Sequence, residues 1–363
     1  MPPTRTSASR RRRYVLASIG ALALSSLAAC GGSDADAAGG DDIAVTLITK
    51  DSVNPFFVTM QEGAKKAGKA NGVDITIASG KEDGDEQGQI EAIDAAVAAG
   101  QDGILIVPNG PAVNPKITEA RDAGLFVIAL DTPPDPPDTV DITFATDNFD
   151  AGKRIGQWTR AQLNGDKAVI ALLDIFDDKV VSVDYNRDQG FLTGMGIDVK
   201  DPKVNGDEDA TGSYDGGDYE IVCNEPSNGN ESDGQAAMEN CLAKNPDINV
   251  VYAINEPAAY GAMNALDAVG TAADDVLTVA VDGGCQGVQA VADGTIDATS
   301  QQYPLKMAEE GVKAIKTIAE GGEPPEVSEG LDFFDTGVQL VTDTPADGVD
   351  SIDTDAGLDS CWG

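Results

Sequence analysis

Residues 43–78 read IAVTLITKDSVNPFFVTMQEGAKKAGKANGVDITIA. The stretch opens on a β-rich apolar run, Ile43–Thr49, and closes on a second, Asp74–Ala78, with a helix-like segment, Phe57–Ala70, between them. Two short strands separated by more than ten helical residues form a βαβ unit, which sets the strands parallel. The same alternation continues along the chain. Further strands are expected at Gly103–Val107, Phe126–Leu130, Ile142–Ala145, Ala168–Leu172, Val250–Ala253, Leu277–Val281 and Ala298–Ser300. Helices are expected at Glu86–Ala99, Ala151–Leu163, Gln235–Leu242, Pro257–Val269 and Leu305–Ile318. The fold class is α/β, and the strand count exceeds one doubly wound sheet of ordinary width, so two lobes are expected. The acidic, Gly-rich segment Lys200–Glu220 reads as an insertion loop, and Pro133-Pro134-Asp135-Pro136-Pro137 as a stiff connector.

Composition narrows the chemistry. The 363 residues hold 62 Asp and Glu against 24 Lys and Arg, a formal charge of −38, and no His. Without His there is no Ser-His-Asp triad, Cys-His pair or His zinc site. A polyanion repels nucleic-acid phosphates, so no nucleic-acid partner is expected.

The first 29 residues read as an export signal. Arg10–Arg13 form a basic n-region, and an apolar run from Tyr14 to Ala29 follows that is short for a bilayer span. The ending Leu27-Ala28-Ala29-Cys30-Gly31 resembles the bacterial lipobox, which makes Cys30 the lipidated N-terminus and residues 30–42 a solvated tether. Sec and twin-arginine export fit the n-region equally. Four cysteines remain in an oxidising setting, and four allow three pairings. The expectation is Cys223–Cys241, closing a local loop, and Cys285–Cys361, pinning the C-terminal tail. Zinc is the alternative, but no CxxC spacing occurs.

In α/β sheets ligands bind beyond the carboxyl ends of the strands. Those ends carry Lys50, Asn54, Phe56 and Phe57; Asp131 and Thr132; Asn255 and Glu256; Asp282; and Gln302. Carboxylates and amides engage adjacent hydroxyls in pairs, and aromatic rings pack on the apolar face of a sugar. Each residue also has a plainer reading: Asn54 or Asp282-Gly283 as a turn, Asn255 as a helix cap, Arg187 as a surface ion pair. No P-loop and no GxGxxG after a strand is present. Asp207, Asp209, Thr211, Gly212, Asp215 and Asp218 follow the spacing of an EF-type calcium loop. The pattern departs at Thr211, has Asp218 where a bidentate Glu belongs, and lacks flanking helices. In so acidic a chain such spacing arises by chance, and neither metal nor cofactor is expected.

Taken together, Asn54-Pro55-Phe56-Phe57, Asp131, Arg187-Asp188-Gln189-Gly190-Phe191, Asn255-Glu256-Pro257 and Asp282-Gly283 resemble the sugar-binding lipoproteins and periplasmic proteins of ABC importers. The group is the ribose/galactose type. Ile254–Ala259 (INEPAA), Val281–Cys285 (VDGGC), Ala298–Pro304 (ATSQQYP) and Ser360–Gly363 look closer to its fructose-binding branch. The resemblance implies two doubly wound parallel-sheet lobes joined by a three-segment hinge, the type I periplasmic binding protein arrangement. The lobes would be 43–146 with 304–340, and 147–303 with 341–363. It implies a monomeric receptor, not an enzyme, that delivers a monosaccharide to an ABC permease and its separate ATPase from outside the cell membrane. A sugar-sensing subunit for a chemoreceptor or histidine kinase is the alternative. Carried over by position, Phe56 and Phe57 stack on the sugar, Lys50, Asn54 and Asp131 bind hydroxyls from the first lobe, and Arg187, Asn255 and Asp282 close from the second. Gln302 completes the set. Thr132 stands where many ribose binders have Arg, which puts a hexose, notably fructose, ahead of ribose.

Overall fold

A computed structural model describes residues 43–363. The export signal, Cys30 and the tether lie outside the described residues. The chain runs β1 (Ile43–Thr49), α1 (Pro55–Asn71), β2 (Val73–Ser79), α2 (Glu86–Ala99), β3 (Gly103–Ile106), α3 (Asn114–Asp122), β4 (Phe126–Leu130) and β5 (Ile142–Ala145). It continues with α4 (Asn148–Leu163), β6 (Ala168–Asp174), α5 (Ser182–Met195), β7 (Thr211–Tyr214), β8 (Gly217–Pro226), α6 (Glu231–Lys244), β9 (Val250–Ala253), α7 (Glu256–Val269), β10 (Leu277–Asp282), α8 (Cys285–Ala292) and β11 (Ala298–Gln301). It ends with α9 (Pro304–Ala319), β12 (Phe334–Asp335), β13 (Gln339–Val341) and α10 (Thr354–Ser360).

The strands form two sheets, ordered β12-β5-β4-β3-β1-β2 and β13-β11-β10-β9-β6-β8-β7. All pairings are parallel except β7 with β8 and β11 with β13. Parallel strands are covered on both faces, so they read as continuous apolar runs. In β3, Leu105 packs with α1 and α9 residues such as Met60 and Ile315, while Ile104 and Ile106 join Ile93 and Ile117 on the other face. Each such side chain contributes about 1.5–3 kcal/mol on full burial.

Two features differ from expectation. The segment 200–220 is not a plain loop: it holds β7 and the start of β8, which pairs with β6 from Tyr219 to Pro226. Only part of β8 is buried, so its polar residues hide it from an apolar-run reading. The third crossing between lobes falls earlier than the expected boundary at 340/341. β12 pairs with β5 and β13 with β11, so the chain crosses at residues 336–338, where Gly337 adopts φ 93°. Both disulfides form, Cys223–Cys241 joining β8 to α6 and Cys285–Cys361 joining α8 to the tail. Past that anchor Trp362 leaves the second lobe and packs edge-on against Phe56, 5.3 Å between ring centroids.

Candidate functional site

Between the two sheets' carboxyl ends lies a narrow cavity of about 30 Å³. Lys50, Asn54, Phe56, Phe57 and Asp131 line it from the first lobe, and Arg187, Asn255, Asp282 and Gln302 from the other side. Nine of the ten ligand residues expected from the sequence, by strand-end position or by family resemblance, are thus brought together. Thr132 is not. It faces a neighbouring pocket, and its hydroxyl donates to Asp131 Oδ2 at 2.7 Å, so it orients Asp131 rather than lining the cavity.

On the first-lobe side, Lys50 follows β1 and is 2% exposed. Its Nζ lies 3.4 Å from Asp83 Oδ2. Asp83 also lines the cavity and was missed by the strand-end reading, although it follows β2. Burial pushes its carboxyl above the usual range and Lys50 pulls it back. Its Oδ1 has no partner among the described residues. Asn54 caps α1, its Oδ1 accepting from Phe56 N–H at 2.9 Å. Asp131 stands at φ 62°, a left-handed conformation uncommon for residues other than Gly. Such strain persists only where surroundings hold it, and it gathers at ligand sites.

On the second-lobe side the polar groups are tied by the protein itself. Arg187 donates from Nε to Asn148 Oδ1 at 2.7 Å and from Nη1 to Ile254 O at 2.9 Å, with Asp282 Oδ1 3.9 Å away. It can sit there because α4 and α5 touch backbone to backbone. A Cβ on Gly152 would strike the Arg187 carbonyl. Asn255 caps α7 by accepting from Ala258 N–H and donates to Gly229 O, so the plainer cap reading holds alongside its place on the cavity. Asp282, at φ 148°, accepts from Gln302 Nε2 at 2.8 Å. Burial raises its carboxyl to about 6, with Arg187 and Gln302 opposing.

Behind Asp282, buried Glu256 accepts from Gly283 N–H, Gly284 N–H and Thr299 Oγ1. Burial and the neighbouring Asp282 push Glu256 up to about 8. Its role depends on three residues that only the fold gathers. Ile175 and Val183 add an apolar wall. The arrangement offers paired hydrogen-bond groups and aromatic faces for a neutral, hydroxyl-bearing molecule. The EF-type spacing does not form a calcium loop, because Thr211–Tyr214 and Gly217–Pro226 are an antiparallel hairpin.

The class defined by this fold and cleft is that of two-lobed solute receptors. Residues 43–323 match the periplasmic binding protein domain family, and the chain belongs to it. The ribose import binding protein RbsB of Salmonella typhimurium strain LT2 is 27% identical over 79% of this chain and 88% of its own length. The D-ribose/D-allose-binding protein of Pseudomonas aeruginosa is 28% identical over 82% of this chain and 88% of its own. The crystal structure of a galactofuranose binding protein superposes with a TM-score of 0.70 at 25% identity, covering 83% of this chain and 94% of that one. These relatives are sugar-binding proteins, the first of them an import binding protein, and not enzymes. Membership implies an extracytoplasmic location. No helix among the described residues is long and apolar enough to cross a membrane.

Proposed function

We propose that the protein captures one monosaccharide between its lobes, a hexose with fructose foremost, and delivers it to an ABC permease served by a separate ATPase. A lipid on Cys30 would hold it at the outer face of the cell membrane. The observation that carries the sugar reading is the convergence of Lys50, Asp83 and Asp131 from one lobe with Arg187 and Asp282 from the other, around two aromatic rings. Lys50, Asn54, Asp83 and Asp131 bind hydroxyls from the first lobe, Arg187, Asn255, Asp282 and Gln302 from the second, and Phe56 and Phe57 cover the apolar ring face. The lobes open about the crossings at 146–148, 302–303 and 336–338. Thr132 leaves no Arg beside Asp131, which favours a hexose over ribose.

A thermal-shift panel of fructose, mannose, ribose, xylose, glucose, galactose and myo-inositol tests this. A ligand of the folded state raises the melting temperature in step with RT ln(1 + [L]/Kd). A large shift with fructose, abolished by Asp282→Ala, is the expected result. A larger shift with ribose overturns the hexose assignment, and no shift with any polyol overturns the sugar reading.

A further inference from the structure

The last residues of the chain sit where the two lobes meet. Helix α10 is fastened to the second lobe. Ser360 at its end donates to Gln301 Oε1 at 2.8 Å, and Gln301 Nε2 donates to Gly283 O at 2.9 Å and Gly357 O at 3.1 Å. The tail beyond it is tied to Cys285 twice, by the Cys285–Cys361 disulfide and by the Cys285 N–H, which donates to Trp362 O at 2.8 Å. The Trp362 ring nevertheless leaves that lobe and is buried with first-lobe core residues such as Phe56, Phe57 and Met60.

There it meets two residues of the cleft. Phe56 lies between two aromatic neighbours, the centroids of Phe57 and Trp362 each 5.3 Å from its own, at interplanar angles of 86° and 78°. Edge-to-face pairs favour one ring orientation as well as adding apolar contact. The indole N–H donates to Gln302 O at 2.8 Å, while the Gln302 side chain donates to Asp282 Oδ1 and accepts from Thr146 Oγ1. Trp362 does not itself line the sugar cavity; it lines the adjoining one with Pro55 and Tyr260. Resting on the sugar reading above, we propose that Trp362 is a positioning residue of that site. Held by the Cys285–Cys361 disulfide, it sets the Phe56 ring that covers the sugar and steadies Gln302 at a crossing between the lobes.

The two disulfides therefore do different work. Cys223 and Cys241 are buried in a second-lobe core cluster, on β8 and α6, and neither of those elements lends a residue to the cavity lining. Cys285 and Cys361 are half-buried, and the bridge between them sits one residue from the ring that touches Phe56. Either cross-link restrains the unfolded chain, so losing either lowers stability. Only the second has a route to the sugar.

Fructose, or whichever sugar of the panel the wild-type protein binds tightest, is titrated calorimetrically into wild type and variants, with the sugar-free melting temperature as the measure of folding. Trp362→Leu keeps apolar bulk and should weaken binding about 2- to 10-fold, and Trp362→Phe, which restores an aromatic edge, should recover most of that loss. Phe56→Leu combined with Trp362→Leu should cost no more than the larger single change, because one residue acts through the other. Cys285→Ser/Cys361→Ser should weaken binding as Trp362→Leu does. Cys223→Ser/Cys241→Ser should lower the melting temperature and leave affinity unchanged. With a wild type that binds sugar, the proposal alone is overturned by any of four results: full affinity in Trp362→Leu, no recovery in Trp362→Phe, additive losses in the Phe56 double variant, or an equal loss on removing the other disulfide. A wild type that binds no sugar of the panel is a different result, and overturns the sugar reading together with this role for Trp362.

Discussion

The two walls of the cleft are built differently. On the second-lobe wall, Arg187, Asn255 and Asp282 each hold hydrogen bonds to the protein, and Glu256 clamps the turn behind Asp282. On the first-lobe wall, Lys50 makes one long contact to Asp83, and Asp83 keeps an oxygen without a partner. Preorganised groups lose little freedom on binding, whereas under-satisfied ones gain most from a new partner. The second wall therefore fixes geometry, and the first rewards the ligand with the right hydroxyls.

The sharpest way to break that comparison is Arg187→Ala. It leaves Asp282 buried without its cation, so affinity for the best sugar should fall about 100-fold or more by calorimetry, and the melting temperature should fall with it. Asp83→Asn on the opposite wall removes the half-buried carboxylate that faces Lys50. Affinity should drop about tenfold, and the melting temperature should fall because buried Lys50 loses its carboxylate partner, but by less than for Arg187→Ala since that contact is long; an equal fall would erase the distinction. Phe56→Leu should weaken binding about 2- to 10-fold through the lost aromatic contact. Thr132→Val acts only through Asp131, so a loss beyond about threefold would mean that Thr132 meets the ligand directly.

Acidity gives a finer test of the clamp. The folded protein holds Glu256 protonated up to about 8, while the unfolded chain releases that proton near the ordinary value of 4.5. The stability tied to this proton is complete below pH 4.5 and is lost as pH rises through 8. Melting temperature measured from pH 5 to 8 should therefore decline, and Glu256→Gln should flatten part of that slope. An identical slope in the variant would remove Glu256 from the account.

Much of this was legible because parallel strands and the residues just past them announce themselves. β1, β4, β5 and β9 match the apolar runs residue for residue. α5 did not appear, since Asp184, Arg187, Asp188 and Gln189 are buried polar residues that break the helical apolar pattern. β8 was hidden for a related reason, its inward positions being interleaved with charge. Asp83 escaped because three residues separate it from the end of β2, and only the folded loop brings it back to Lys50. Thr132 was included by adjacency to Asp131, and adjacency in sequence does not set which way a side chain faces.

The chain contains two tryptophans, and their settings are unlike. Trp158 is sealed in the second lobe's core, its indole donating to Thr344 O. Trp362, anchored beside Cys361, donates to Gln302 O and touches Phe56 across the cleft. Any parting of the lobes must strip that ring of its neighbour and wet it. The protein therefore carries its own optical gauge: with Trp158→Phe in place, the emission maximum of Trp362 follows opening and closing in real time, without an added dye.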